Sequence, residues 1–450
     1  MSEIYPKKDE KSELSQSHHM QIPWYDVIDD QNDQVLNSAL KERSSIVGRV
    51  GIMLLSCGTG AWRVREAMNT IARNLHLTCS ADIGLTSISF TCFYQSHSYS
   101  EVLTLSKSGV NTDKLDALER FVHSFSDQLP HLSTREIHRK LDEIQKMPGN
   151  YSEIATGFAA ALACSAFVFL LGGGPIEMFC CFLGAGLGNF IRTKLLNREL
   201  TLLATVAVGV AAACLVYLLV FLGLEKLFKI SPEHEAGYIG AMLFVIPGFP
   251  FITSMLDISK QDLRSGLERF VYALMITIVA TLVGWLVAFT VHLRPANFLP
   301  LGLTPVLMLV FRFIASFCGV FGFSVMFNSP RRMACLCGLI GAISNTLRLE
   351  LVDFTKIPPA AAAFIAALTA GLIASAMNRV DGYPRISLTV PSIVIMVPGL
   401  YIYRGMYNLG LNNISVAAAW LSKAILIIMM LPLGLFTARV IMDQRWRRSD

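Results

Sequence analysis

Apolar positions along the chain keep one rhythm up to about residue 153 and another beyond it. In residues 46–55 and 62–75 they recur three and four apart, which predicts two helices joined by the turn Cys57-Gly58-Thr59-Gly60. Residues 77–84, 86–94 and 99–106 are short and rich in β-branched and aromatic side chains, with Ile88, Phe90 and Cys92 alternating, and read as strands. Leu115, Leu118, Phe121 and Val122 give residues 112–125 a helical face. Ser133 followed by Glu136 marks a capping box at the start of one more helix. Residues 46–150 thus predict a small α+β domain, preceded by a polar, aromatic-poor tail over 1–45 expected to be flexible.

After Glu153 the rhythm gives way to long apolar runs, and about 20 such residues cross a bilayer core of roughly 30 Å. Ten runs occur, centred near residues 163, 183, 211, 247, 280, 316, 340, 368, 397 and 426. A polytopic α-helical membrane protein with ten spans is expected, in two modules over 151–295 and 296–450. Composition agrees: only 16% of the chain is charged and the mean hydropathy is +0.51, while average soluble chains carry about 25% charge. Charge divides at the same boundary, with a net −4 over residues 1–153 and +9 over residues 154–450.

No apolar h-region opens the sequence, so the first 153 residues are expected in the cytoplasm. On that footing fourteen of the Lys and Arg after residue 153 fall on inside loops and the C-terminal tail, six fall on outside loops, and Arg312 and Lys423 lie within spans. Positive loops favour the inside, so both termini are expected on the cytoplasmic face of the inner membrane. The ten cysteines form no C-x-x-C pair and read as small buried side chains; His18 and His19 sit in the tail. No cofactor or metal is expected, and no basic stripe suggests nucleic acid.

Two motifs recur. Residues 183–192, L-G-A-G-L-G-N-F-I-R, and 339–348, L-I-G-A-I-S-N-T-L-R, share Leu, Asn and Arg at an offset of 156, aligning Asn189 with Asn345 and Arg192 with Arg348. V-I-P-G-F-P (245–250) and M-V-P-G-L-Y (396–401) align Pro247-Gly248 with Pro398-Gly399 at an offset of 151. A duplicated unit of five spans enters the membrane from opposite sides, the inverted-repeat plan of secondary transporters.

Pro247 and Pro250 each remove a backbone donor and clash with a carbonyl four residues back, so the fourth span should break, and Pro398 should break the ninth. Backbone groups bared in lipid cost several kcal/mol each unless a neighbour or ligand satisfies them. Half-helix N-termini there would attract a substrate carboxylate and freed carbonyls a cation; a packing kink is the plainer alternative. Arg312 and Lys423 would each cost about 2.5–3.5 kcal/mol at the bilayer centre. Arg312 is a candidate partner for a substrate carboxylate and Lys423 a candidate coupling charge, with snorkelling as the alternative. Gly184, Gly186 and Gly188 form G-x-G-x-G inside an apolar span, where close helix packing explains them better than a nucleotide loop. Glu177 is expected to face water.

The run P-G-F-P-x(6)-D-x(8)-G-x-x-R, here Pro247, Gly248, Pro250, Asp257, Gly266 and Arg269, resembles the signature of the threonine/serine exporter (ThrE-type) family. G-F-x(3)-F-N-x-P-R, here Gly322, Phe323, Phe327, Asn328, Pro330 and Arg331, is similar to the opening of that family's second membrane module. Where members show S-G-A-E-x-x-R-V this chain has C-G-T-G-A-W-R-V, with Gly60 in place of the acidic residue. The resemblance implies export of threonine and serine driven by the proton motive force through ten spans, and related two-subunit members imply succinate as the alternative. It also raises Asp257 and Arg269 as a gate pair or proton-linked switch, against a loop-fixing ion pair at a wet interface worth about 0–1 kcal/mol. Expected partners are a small-molecule substrate, protons and the lipid bilayer, with a homo-oligomer open. The reading from another class is a membrane-anchored enzyme, for which Cys57 or Ser56 with His76 is the one tempting pairing; a transporter without enzymatic chemistry is preferred.

Overall fold

A computed structural model describes residues 22–28, 34–128, 132–229, 236–295 and 297–447. Most of the expected tail, with His18 and His19, lies outside the described residues. Two compact units emerge, the first ending at Val110 and taking in Ala117–Met147, the second comprising Asn111–Asp116 and everything from Pro148.

The first unit holds helices α1 (Leu40–Ser56) and α2 (Ala61–Asn74), strands β1 (Thr78–Ile83), β2 (Ser87–Tyr94) and β3 (His97–Thr104), most of α3 (Thr112–Gln128), and α4 (Thr134–Gln145). The strands form an antiparallel sheet in the order β1-β2-β3. Ile88, Phe90 and Cys92 are buried, as their alternation requires. α1 begins at Leu40, six residues before the apolar spacing becomes regular, because Glu42, Arg43, Ser44 and Ser45 are buried too. Gly48 and Gly51 let α1 approach closely: a Cβ at Gly48 would stand 2.6 Å from the Phe90 ring and one at Gly51 2.6 Å from Met68 Sδ. The capping box forms, Ser133 N donating to Glu136 Oε2 (2.9 Å) and Glu136 N to Ser133 Oγ (3.3 Å).

The second unit is helical. Its elements are α5 (Glu153–Leu170), α6 (Pro175–Asn197), α7 (Leu202–Phe228), a short α8 (Tyr238–Ala241) continued by a 3-10 turn (Leu243–Val245), α9 (Gly248–Ser259) and α10 (Leu263–Thr290). There follow α11 (Pro305–Met326), α12 (Arg331–Thr355), α13 (Pro359–Asp381), α14 (Arg385–Val394), α15 (Gly399–Gly410) and α16 (Ile414–Met442). Seven of these, α5, α7, α10, α11, α12, α13 and α16, are long and apolar enough to cross a membrane. Two bent pairs, Tyr238–Val245 with α9 (53°) and α14 with α15 (49°), raise the number to nine. The chain is therefore a polytopic helical membrane protein. The remaining expected run, near residue 183, folds as α6, which is long enough but diluted in polarity by Glu177, Asn189, Arg192 and Lys194.

Small residues set the helix spacing, as membrane interiors favour. A Cβ on Gly184 would meet Ala213 O at 2.7 Å and one on Gly188 would meet Gly209 O at 2.8 Å, so these two glycines of G-x-G-x-G seat α6 against α7, while Gly186 faces Ala161 of α5. A Cβ on Gly322 of α11 would likewise meet Ala159 O of α5 at 2.5 Å. Glu177 corrects an expectation: it is 1% exposed rather than facing water, accepting from Gly174 N at 3.0 Å, because α6 starts under cover and its first-turn donors need a buried acceptor.

Candidate functional site

Both spans break where the motifs indicate, and with one backbone geometry. Pro247 (φ −81°, ψ 66°) and Pro398 (φ −81°, ψ 52°) are the N-caps of α9 and α15. Those angles are close to an inverse γ-turn, in which residue i+2 donates to the carbonyl of residue i. Gly248 N donates to Ile246 O and Gly399 N to Val397 O, both at 2.8 Å. Pro247 lies outside the new helix, where its missing N–H costs nothing. Pro250 does not break the helix: it occupies the first turn of α9, whose N–H groups have no intrahelical acceptor in any case.

The breaks adjoin each other. A Cβ on Gly248 would stand 3.0 Å from Val394, and one on Gly399 would stand 2.7 Å from Leu243. Between them is an apolar gap of about 10 Å³ lined by Phe167, Leu243, Ile246, Phe323, Val394, Val397 and Gly399, space for about one water. Phe167 and Phe323 are 156 residues apart, and Leu243 with Val394 and Ile246 with Val397 are 151 apart, the offsets of the two motifs. Nearby, buried Tyr238 and Tyr403 share a hydroxyl hydrogen bond of 2.9 Å.

The other singled-out residues occupy separate places. Asp257, near the end of α9, and Arg269, on α10, form an ion pair of 3.4 Å, and Ser265 Oγ donates to Asp257 Oδ2 at 3.1 Å. Both side chains are 3% exposed, so the wet loop pair considered above is instead a buried one. It is buried because Gly266 lets the helices close: a Cβ there would meet Ser254 O at 2.8 Å. The signature thus reads physically as a break, a buried carboxylate, a close approach and the carboxylate's cation.

Arg312 binds two acidic groups one turn apart on α12, Glu350 at 2.8 Å and Asp353 at 2.5 Å; these protein carboxylates account for a cation within a span. Lys423 is exposed, its Nζ 5.1 Å from the Trp420 ring. Asn189 donates to Thr156 O (3.0 Å), and Asn345 donates to Ser316 Oγ (2.8 Å) while accepting from Arg348 Nε (3.0 Å). Asn328 takes a left-handed conformation (φ 60°), donates to Asn111 Oδ1 (3.1 Å) and accepts from Asn150 N (2.7 Å). The F-N-x-P-R corner is thus a cross-linked turn, with Arg331 exposed at the start of α12.

Arg404, which no motif singles out, lies six residues past Pro398 on α15. Its Nη2 donates to Asn297 Oδ1 at 3.1 Å and its guanidinium lies 5.0 Å from the Trp420 ring centroid. Trp420 flanked by Arg404 and Lys423 was the available signal, but it needs the α15–α16 turn to become spatial. In the first unit the pairing imagined for an enzyme does not assemble. Ser56 and Cys57 precede α2 and His76 follows it, and fourteen residues of helix separate them by about 20 Å. The polar cluster that forms instead joins Ser45, Arg49, His138 and Asp142: His138 Nε2 lies 3.0 Å from Ser45 Oγ, and Arg49 binds His138 Nδ1 (3.0 Å) and Asp142. Its members Ser45, Arg49 and His138 are at most 1% exposed, so it is a packing device. Among the described residues no cluster of His, Cys, Asp and Glu is arranged to hold a metal.

Two family models match the chain, one described as "Putative threonine/serine exporter" over residues 45–292 and one as "Threonine/Serine exporter, ThrE" over residues 312–441. The "Threonine/serine exporter" of Corynebacterium glutamicum is 25% identical over 84% of this chain and 79% of its own length. The "Probable threonine/serine exporter" of Mycobacterium tuberculosis is 24% identical over 81% of this chain and 69% of its own. The "Probable succinate transporter subunit YjjP" of Escherichia coli is 24% identical over 54% of this chain and 91% of its own. No solved structure matches. The first family model spans more than half of the sequence, across the very break and ion pair described above, and the chain belongs to the threonine/serine exporter family.

Proposed function

We propose that this exporter is a secondary active carrier of small hydrophilic metabolites, threonine and serine first, driven by the proton motive force across the inner membrane. In this reading ten spans fold as two units of five in opposite orientation, α5–α10 and α11–α16, with α6 as the second span. Residues 46–150 form a cytosolic domain, and both termini are cytoplasmic. The substrate passes between the broken spans, where the first-turn amides of α9 and α15 present positive helix ends to a carboxylate.

The observation that carries the reading is the copied break. Two prolines 151 residues apart hold the same turn, and their first-turn residues pack against each other's approach segments. Two apolar breaks closed over about 10 Å³ form an occluded plug, so transport requires them to part toward one side and then the other.

Everted membrane vesicles test it. Energised vesicles should accumulate labelled threonine, lose it when an uncoupler is added, and resist competition by excess succinate. No energised accumulation of threonine or serine would refute the amino-acid reading. A C4-dicarboxylate substrate is the second reading, motivated by the named role of the Escherichia coli relative; labelled succinate accumulating in place of threonine would select it.

A further inference from the structure

Beside the gap between the breaks the second unit carries an open cleft. A cavity of about 480 Å³ is lined by Leu171, Gly172, the segment 297–303, Met308, Leu400 and Arg404. That volume falls within the range of about 300–1,000 Å³ typical of small-ligand sites. Leu400 directly follows Gly399, which lines the plug, so the cleft begins where the plug ends.

The cavity has one built-in cation. Arg404 is held by Asn297 at 3.1 Å and by the Trp420 face at 5.0 Å, which fixes the plane of its guanidinium. A planar fork so held matches the two oxygens of a carboxylate better than a lysine ammonium does. The remaining lining is mostly apolar, as small-molecule sites with a few orienting polar groups are.

The repeat offsets pair this lining with residues at the other end of the repeat. Leu171 and Gly172 correspond to Phe327 and Asn328, and Leu400 and Arg404 to Phe249 and Thr253. At that second end Phe249 and Phe327 pack edge to face at 5.4 Å, and Thr253 is 1% exposed. The same repeat positions line an open cleft and carry a cation at one end, and carry packed aromatic rings at the other.

We infer that this cleft is a carboxylate-binding vestibule for the transported molecule, with Arg404 as its anchoring cation and Asn297 positioning the guanidinium. The inference rests on the exporter reading and adds to it the chemical handle by which substrate is held. By the loop-charge bias the cleft opens on the non-cytoplasmic side, so it holds the molecule between passage through the plug and release.

The test uses the purified full-length protein and labelled threonine, with threonine amide and succinate as competitors. Threonine amide lacks the carboxylate and should not compete. Arg404→Gln should weaken binding about 10- to 100-fold, the range for a lost hydrogen bond to a charged group. Arg404→Lys should restore part of it and Asn297→Ala should lose less than Arg404→Gln. An unchanged thermal unfolding midpoint for Arg404→Gln shows an intact fold; if that variant does not fold, Arg404→Lys and Asn297→Ala carry the comparison. Succinate displacing threonine in the wild type but not in Arg404→Gln also supports the site, and it moves the substrate toward the dicarboxylate reading. Full-strength binding by folded Arg404 variants, effective competition by the amide, or a wild type that binds neither carboxylate overturns it. Failure of the exporter reading is separate: it appears as wild-type vesicles that accumulate neither threonine nor succinate, whereas failure of the site alone appears as active transport with an unchanged KM in Arg404→Gln.

Discussion

The turns that follow the two broken spans share a backbone and differ in chemistry. Gln261 and Asn412 both take left-handed angles (φ 64° and 62°). Asp262 N donates to Asp257 O at 3.0 Å, and Asn413 N donates to Asn408 O at 2.9 Å. One helical turn later Gly266 N bonds Asp262 O and Ala417 N bonds Asn413 O. Yet the positions of Asp257 and Arg269 are taken by Asn408 and Trp420 in the other turn. The first turn is sealed by a buried ion pair, while the second turns a tryptophan toward Arg404 and Lys423. Backbone shape is thus reproduced by different side chains at Gln261 and Asn412, and the buried carboxylate–guanidinium pair is placed at one copy only.

Removing charge from the sealed turn should break this contrast most forcefully. Asp257→Asn or Arg269→Met leaves a buried partner uncompensated and should cost about 3–5 kcal/mol, read as a lowered unfolding midpoint in detergent. The double replacement Asp257→Leu with Arg269→Met should recover much of that loss; a double variant as unstable as either single one would mean the pair is more than a seal. Gly266→Ala should cost about 1–3 kcal/mol through overpacking against Ser254 O. The mirror change Ala417→Gly should cost only about 1 kcal/mol, the propensity of glycine in a helix. Equal costs would show that the two turns pack alike.

A control lies outside both turns. Burial, and then the Arg49 charge, push His138 down to about 3 from an ordinary 6.5. The folded state therefore excludes a proton that the unfolded state binds. Stability of the α+β unit is full above about pH 6.5 and should fall as pH drops toward 3, measured by unfolding of the full chain followed by tryptophan fluorescence. His138→Asn should flatten that slope and leave the membrane turns untouched. The smallest effect is expected for exposed Lys423→Gln, within about 0.5 kcal/mol in stability.

Local chemistry made much of this legible in advance. The alternation of Ile88, Phe90 and Cys92 forecast β2, the Ser133/Glu136 spacing forecast a cap that forms in full, and two Pro-Gly pairs forecast two breaks. What stayed hidden depends on distant segments. Which of Pro247 and Pro250 breaks the span depends on where α9 begins, not on either proline alone. Arg312 looked like a substrate cation because Glu350 and Asp353 are far away in sequence and meet it only when α11 packs on α12. The spacing of Asp257 and Arg269 suggests a pair, but its burial follows from the close approach at Gly266. Arg404 gained its setting from Asn297, 107 residues away.

If the copied break carries transport, one measurement shows it most directly: energised threonine accumulation in everted vesicles bearing wild-type protein, Pro247→Ala, Pro398→Ala or both. Each substitution removes the residue whose fixed φ holds the turn at the plug. With equal amounts of folded protein in the membrane, each single variant should transport markedly more slowly and the double variant should be near background. Wild-type rates in the folded double variant, or wild-type accumulation that an uncoupler leaves intact, would contradict it.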